Sequence, residues 1–183
     1  MIAATATRSL VTGGNPEAPA ALPQLGAFVA PSGANLDYCK APDIERIADA
    51  LIAHCSELAF LQNVIIRYLW RRKKQTSQGL SVLGKCTPLS GIQQFALGGG
   101  EFMVVLNAEG CRDAYLKAWQ LEALVYHELC HIAPADPDEP GATPTGTGHE
   151  FEGFTKELER YGMWLPTLEA AGEAFAQLGL WDR

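Results

Sequence analysis

Apolar residues recur at steps of three and four from Asp43 onwards, which predicts an amphipathic helix with one buried face. Pro42 and Asp43 provide its start, and Asp43 is the predicted N-cap. His54 lies on the same helix without a second residue at metal-ligand spacing, which favours a structural role. The apolar positions of this pattern are Ile44, Ile47, Ala48, Leu51, Cys55 and Leu58.

Three later stretches have the character of strands. Residues 63–70 are rich in β-branched and aromatic residues and are predicted as the first strand. One or two short strands are expected in the glycine-containing segment 79–98, one of them around Leu80–Cys86. Glu101–Asn107 follows three glycines and is predicted as a strand flanked by turns. Because the connections are short for helical crossovers, the sheet is predicted to be small and mainly antiparallel.

A second helical pattern runs from about Asp113 to Ala133, and we predict a break near Leu116–Trp119. Pro134 ends this helix, because a proline cannot continue the backbone hydrogen bonding. Residues 134–148 contain four prolines and three glycines without apolar periodicity, and they are predicted to form a long loop.

Two further helices and an N-terminal arm complete the predicted organisation. Residues 149–162 carry an apolar stripe that ends at a glycine, and a last helix is predicted over about residues 165–178. Residues 1–35 are rich in Ala, Pro, Gly and Thr without periodicity, which predicts a flexible arm. We therefore predict a single α+β domain over residues 36–183, with a small sheet packed against helices.

Composition narrows the class of protein. The 183 residues carry a formal net charge of −7, which disfavours a dedicated nucleic-acid surface. Five of the fourteen basic residues nevertheless fall between Arg67 and Lys74. A solvated strand end is the favoured interpretation. The alternative is a patch at Arg71–Lys74 for a nucleic-acid backbone or an acidic partner.

The number of cysteines and the length of the apolar runs indicate the cellular compartment of the protein. Five cysteines, an odd number without a Cys-x-x-Cys pair, are typical of reduced thiols in a cytoplasmic protein. No run is long and apolar enough for a transmembrane helix, and prolines and glycines interrupt the N-terminal apolar stretch. We therefore expect a cytoplasmic protein without a membrane partner. The oligomeric state stays open.

The second helical pattern contains His-Glu-x-x-His at residues 127–131. Residues four apart lie on the same face of a helix, so His127 and His131 project together. Two neutral imidazoles held in this way can bind one zinc ion through ring nitrogens at about 2.0–2.1 Å. Glu128, one residue round the helix, is placed to take a proton from water that the metal activates. This pattern predicts two zinc ligands and one general base on a single helical turn.

The plain alternative is a pair of structural histidines on a buried helix. Polar groups buried without partners are costly, so the apolar flanks of the motif favour a metal site. His149 opens the next predicted helix and is the favoured third ligand, with Glu150, Glu152 and Glu157 as competitors. Histidine ligands favour zinc over other divalent metals. The flanking apolar residues are Leu121, Leu124, Val125, Leu129 and Ile132.

The segments ALVYHELCHI and GHEFEGFTKELERYG, with RYLWRRKK and EFMVVLN upstream, resemble the phage metallopeptidase family. The order of elements is also similar to that of SprT-like and Spartan proteases. The resemblance covers roughly residues 40–165 and implies a compact, minimal zincin in a bacterial host or a prophage-bearing cell. His127, His131 and His149 match the ligand positions, and Glu128 matches the catalytic position. SprT-like proteins often add a zinc ribbon of cysteine pairs, and this chain has none.

The motif and the resemblance together favour a zinc-dependent endopeptidase with a protein or peptide substrate. Two alternatives stay open: a zinc amidase acting on another amide, such as a cell-wall peptide, and a non-catalytic zinc-binding interaction module. Because the strand before the active helix commonly borders the cleft in zincins, we predict that a substrate pairs along the edge of Glu101–Asn107. Tyr126 and Tyr161 are oxyanion candidates by residue type only, and a core or rim role is favoured for both.

Overall fold

A computed structural model describes residues 10–77, 80–148 and 155–165. The chain divides into two compact units, Met1–Gly148 and His149–Arg183. Helices and a small sheet occur together, which confirms the predicted α+β class. Within these described ranges, no helix is long and apolar enough to cross a bilayer.

A four-stranded sheet lies at the centre of the first unit, and a hairpin follows its second strand. The sheet consists of β1 (Tyr38–Lys40), β2 (Ile66–Arg71), β5 (Gly84–Pro88) and β6 (Phe102–Asn107), and the hairpin of β3 (Gln75–Ser77) and β4 (Leu80–Val82). The prediction of a strand at Glu101–Asn107 is confirmed by β6. Segment 79–98 contains β4 and β5 as two short strands, and then a six-residue helix, α2 (Gly91–Ala96).

The strand order across the sheet is β1-β2-β6-β5. β1 is antiparallel to β2, and β5 is antiparallel to β6, as a mainly antiparallel sheet requires. β2 and β6, however, are parallel, with Ile66 opposite Phe102 and Arg71 opposite Asn107. The parallel pairing was not predicted, because the crossover from β2 to β6 passes through the hairpin, β5 and α2 instead of one long helix.

One face of the sheet forms the core with two helices, α1 (Pro42–His54) and α4 (Ala118–Cys130). α1 contacts β2 and α4, and α4 contacts β5. Alternate residues at the start of β6 are buried, which is the period expected for a strand with one covered face, and β2 buries its first and fifth residues on the same period. The buried members of this face are Ile66, Trp70, Phe102, Val104 and Leu106, and α1 adds Ile44, Ala48 and Leu51.

The N-cap of α1 lies two positions earlier than predicted. Ala41 is the N-cap and Pro42 occupies the first turn, so the prediction of Asp43 as N-cap was wrong. Proline suits this position because its fixed φ fits the helix and its missing N–H would have no intrahelical partner there. Asp43 instead accepts hydrogen bonds of 3.0 Å from Nε1 of Trp70, which ties the helix start to β2.

The strand predicted over residues 63–70 begins later, at Ile66. A 3-10 helix, Ser56–Asn63, precedes it and buries Leu58 and Leu61. His54 at the end of α1 has the structural surroundings that the sequence favoured, since its Nδ1 lies 2.7 Å from the carbonyl oxygen of Ala50.

A break in the second helical pattern lies near the predicted Leu116–Trp119, but the helix predicted to start at about Asp113 begins at Ala118. α3 (Ala108–Asp113) and α4 are separated by a short junction in which Tyr115 adopts a φ of 51°. A positive φ in a residue other than glycine is uncommon, and here it redirects the chain between the two helices. Asn107, the last residue of β6, caps α3 by accepting a 2.9 Å hydrogen bond from the N–H of Gly110.

α4 ends at Cys130, earlier than predicted, because the chain then forms a small strand pair. β7 (Ile132–Ala133) is antiparallel to β8 (Thr145–Gly146). The pairing of β7 with β8 therefore holds together the two ends of the long loop predicted over residues 134–148. This strand pair was not visible in the sequence, since each strand has only two residues.

The described part of the N-terminal arm, residues 10–35, hydrogen-bonds with the segment around α4. The N–H of Ala20 donates to the carbonyl of Leu116 at 2.8 Å, and the N–H of Ala118 donates to the carbonyl of Ala18 at 2.8 Å. The predicted boundary between residues 35 and 36 stays a prediction.

In the second unit, the described residues contain α5 (Thr155–Tyr161). Gly162 follows with a φ of 67°, the left-handed conformation that stops helices, as predicted. The N–H of Gly162 donates to the carbonyl of Leu158 at 2.9 Å. The last helix, predicted over about residues 165–178, falls almost entirely outside the described residues.

Candidate metal centre

α4 places the two motif histidines side by side. The ring centroids of His127 and His131 are 5.2 Å apart, and the ring planes are 84° to each other. His131 follows the last residue of α4, but its φ of −70° and ψ of −5° keep it on the helical path. Both side chains are half-buried. The predicted projection of His127 and His131 from one face is therefore present.

The strand pair β7–β8 brings Thr147 against His131. The Nδ1 of His131 lies 2.9 Å from the carbonyl oxygen of Thr147, and the N–H of Thr147 donates to the carbonyl of His131 at 2.8 Å. A proton on Nδ1 that points at a carbonyl leaves Nε2 as the nitrogen with the lone pair. Metal-binding histidines are commonly oriented by such a contact. The sequence did not indicate this partner, because Thr147 lies in a segment without periodicity.

Glu128 is buried, with 2% of its surface exposed, and its carboxylate lies against β5. A Cβ atom built on Gly84 would be 2.3 Å from Oε1 of Glu128 and 2.8 Å from its Cδ. The carboxylate therefore occupies the space that any other residue at Gly84 would fill. This neighbour was missed by sequence reasoning, since a lone glycine before a weak strand pattern is not distinctive.

The charge of Glu128 acts on two nearby thiols. Burial raises the pKa of Cys86 to about 12, and the Glu128 carboxylate adds to the increase. Burial also raises the pKa of Cys111 to about 12, and Glu128 makes a smaller contribution in the same direction. All five cysteines are free thiols, as the sequence predicted. Cys86 and Cys111 are consequently neutral at physiological pH.

The predicted third ligand, His149, lies outside the described residues, as do Glu150 and Glu152. Among the residues that the structure describes, there is no group of three His, Cys, Asp or Glu side chains able to hold a metal. The remaining competitor, Glu157, is buried and accepts a hydrogen bond from Nε1 of Trp164. The assignment of His149 as a ligand stays a prediction.

The two placed histidines fit a metal by the chemistry of their donors. Two imidazoles on one helical turn, one of them oriented by a backbone carbonyl, are the partial ligand set that zinc and similar divalent metals accept. The carboxylate of Glu128, the residue next to His127, lies against Gly84 of β5.

The predicted substrate edge on Glu101–Asn107 is wrong. β6 is paired on both sides, with β2 along one edge and β5 along the other. β5 is one of the two edge strands of the sheet, with β1 at the other edge, and it is the edge strand that contacts Glu128. β6 was favoured because it is the strand before the motif helix along the chain, whereas the edge position belongs to β5, an earlier strand of the sequence.

The two tyrosine candidates for oxyanion stabilisation differ. Tyr126 is fully buried, and its hydroxyl donates to Oε1 of Glu57 at 2.7 Å, so the core interpretation is confirmed. Tyr161 ends α5, and the Cζ of Arg160 lies 5.8 Å from its ring centroid. Its role stays a prediction.

Most of the basic cluster has internal partners. Arg72 and Lys73 lie 3.7 Å and 3.6 Å from Oδ1 of Asp37, and Lys74 lies 3.0 Å from Oδ2 of Asp113. These contacts favour the interpretation of a solvated strand end. The nucleic-acid alternative at Arg71–Lys74 stays a prediction.

A family model described as "Putative phage metallopeptidase" matches residues 36–175. The chain belongs to this family. The match spans most of the chain and includes His127, Glu128, His131 and His149. The description of the family names a metal-dependent peptidase, in agreement with the motif on α4. No curated protein and no solved structure matches the chain.

Proposed function

We propose that this phage metallopeptidase family member is a zinc-dependent endopeptidase. The observation that carries the proposal is the turn of α4 on which His127 and His131 lie 5.2 Å apart beside the buried carboxylate of Glu128. A purely structural metal site has no need of a carboxylate at this position, whereas hydrolysis requires a base.

The proposed roles follow from the residue types. His127, His131 and His149 hold the metal. Zinc, when bound, supplies a Lewis acid that polarises the scissile carbonyl and makes water a better nucleophile. Glu128 accepts a proton from the attacking water as the oxygen adds to the carbonyl carbon, and it passes that proton to the leaving nitrogen as the C–N bond breaks.

The substrate backbone is proposed to lie along β5. An extended peptide can add to the outer edge of a sheet through main-chain hydrogen bonds. In the described part of the chain, β5 and β1 are the two edge strands of the four-stranded sheet, and β5 is favoured because its residue Gly84 contacts Glu128. This placement brings a bound peptide to the same strand that the general base contacts. An inhibitor that leaves the backbone resonances of β5 unchanged on binding would contradict it.

The zinc amidase alternative uses the same residues on a different amide, and only the substrate distinguishes it. The non-catalytic module differs in a measurable way, because Glu128 would then be dispensable. Peptide hydrolysis and zinc content must therefore be measured on the same preparations.

The decisive experiment compares the wild type with Glu128→Gln and His149→Ala. We expect about one zinc per chain in the wild type and in Glu128→Gln, and much less in His149→Ala. Removal of any one of three protein ligands lowers the affinity of a catalytic site for zinc. Hydrolysis of labelled casein and of a mixed quenched-peptide library should fall at least about 10²-fold in Glu128→Gln, the usual effect of removing a general base.

Glu139→Gln is the matched control, because this glutamate is exposed in the loop after β7. It should leave both zinc content and hydrolysis unchanged. Full hydrolysis by folded Glu128→Gln would overturn the proposed mechanism. Full zinc content in His149→Ala would move the third ligand to another residue.

A further inference from the structure

We propose that Gly84 is the positioning residue for the general base, because only a residue without a side chain lets the Glu128 carboxylate lie against β5. The catalytic meaning of this inference rests on the proposed function. The contact between positions 84 and 128 is a property of the fold and can be measured without activity.

The space around Gly84 is closed from two directions. A Cβ atom there would lie 2.3 Å from Oε1 of Glu128 and 2.8 Å from Cδ2 of Leu106, both shorter than real Cβ contacts. Leu106 is fully buried on β6 and Glu128 is 2% exposed on α4, so neither side chain has solvent to move into. A side chain at position 84 therefore displaces either the carboxylate or β5 itself.

The backbone conformation does not explain why position 84 is a glycine. Gly84 is not among the residues with a positive φ, so its conformation is open to any amino acid. Gly26 and Gly91 also have ordinary φ angles, and a Cβ on either would meet nothing within 4 Å. Of these three glycines, Gly84 alone is required by space, and the group that sets the limit is the carboxylate of the proposed base.

The location of the contact links it to catalysis. Gly84 is the first residue of β5, the edge strand on which we place the substrate backbone. The base and the strand that aligns the substrate are thus held at van der Waals distance. A displacement of about 1 Å between reacting groups can cost about 10²-fold in rate. An alanine at position 84 would impose a displacement of this size.

The test is Gly84→Ala in the zinc-loaded full chain, with Gly26→Ala and Gly91→Ala as matched controls. We expect kcat to fall about 10²-fold while KM and zinc content change little, since the atoms nearest to a Cβ at position 84 belong to Glu128 and Leu106 and not to a histidine. The controls should retain the wild-type kcat. A folded Gly84→Ala protein with wild-type kcat would overturn the inference.

A double-mutant cycle separates positioning from general damage. Aspartate is one methylene shorter than glutamate. In a Glu128→Asp background the carboxylate therefore lies farther from the alanine side chain at position 84. The fold-loss in kcat caused by Gly84→Ala should therefore be smaller in that background than in the wild type. An equal fold-loss in both backgrounds would mean that the two positions act independently.

The same coupling can be read from the metal-free protein if Gly84→Ala folds poorly. The fall in Tm caused by Gly84→Ala should be smaller in a Glu128→Ala background, because one of the two obstructing groups is gone. An equal fall in both backgrounds would overturn the inference.

If Glu128→Gln stays active while this coupling is present, the proposed function fails and the contact stands. If Glu128→Gln is inactive and Gly84→Ala is fully active, only the positioning role fails.

Discussion

Replacement of Asn107 by alanine should destabilise the start of α3, the helix that connects β6 to α4. Asn107 is buried, with 4% of its surface exposed, at the end of β6. Its Oδ1 accepts a 2.9 Å hydrogen bond from the N–H of Gly110, and its Nδ2 donates a 2.8 Å hydrogen bond to the carbonyl of Lys73. One side chain thus caps α3 and ties it to the segment after β2.

The magnitude follows from the two hydrogen bonds. Loss of an N-cap costs about 0.5–2 kcal/mol, and loss of one further hydrogen bond costs about 0.5–1.5 kcal/mol. Asn107→Ala should therefore lower the free energy of unfolding by about 2 kcal/mol, which for a chain of this size is a decrease of about 4–8 °C in Tm. Asn107→Asp keeps the cap and loses only the donor, so it should cost about half as much.

Urea and thermal unfolding, followed by circular dichroism, would measure both changes. Asn15→Ala is the matched control, because Oδ1 of Asn15 accepts a 3.0 Å hydrogen bond from the N–H of Glu17 at an exposed site. It should change the free energy of unfolding by less than about 0.5 kcal/mol. The reasoning would be refuted if Asn107→Ala were as stable as this control, or if Asn107→Asp were less stable than Asn107→Ala.

Two further predictions concern buried groups near α4. Tyr126→Phe should lower the free energy of unfolding by about 1.5–3 kcal/mol, because it removes a hydrogen bond to the Glu57 carboxylate; an unchanged urea midpoint would contradict this. For Cys111, burial raises the pKa to about 12 in the folded state, above the value of about 8.5 for an unfolded thiol. The unfolded chain therefore loses a proton at lower pH, and the contribution of Cys111 to stability is complete below about pH 8.5 and falls as pH rises towards 12. Urea titrations at pH 8 and pH 10 should show a smaller loss of stability with pH in Cys111→Ala than in the wild type, and equal losses would contradict the burial argument.

The sequence allowed α4 to be predicted because the pattern that indicates it is local. His127, Glu128 and His131 are fixed relative to one another by the helical repeat alone, and this repeat is visible in any sequence. β6 was predictable for the same reason, since a run of β-branched and apolar residues between turns carries its own pattern.

The surroundings of that helix could not be predicted, because they depend on contacts distant in sequence. The Thr147 carbonyl reaches His131 through two-residue strands that have no pattern of their own. Gly84 reaches Glu128 across 44 positions of the chain, and its strand has the composition of a turn. The substrate edge was misplaced because the order of strands in the sheet differs from their order along the chain, so the strand before the motif helix is not the edge strand.

The parallel pairing of β2 and β6 has a consequence for the order in which the molecule folds. β6 is the last of the four sheet strands along the chain, yet it lies between β2 and β5 in the sheet. The sheet therefore stays incomplete until β6 pairs with β2, in which the partner residues are 36 positions apart along the chain, and such non-local pairings form slowly. α4 follows β6 in sequence and contacts β5. We expect the two histidines of α4 to meet the finished sheet late in folding, so that metal capture belongs to the last steps of assembly.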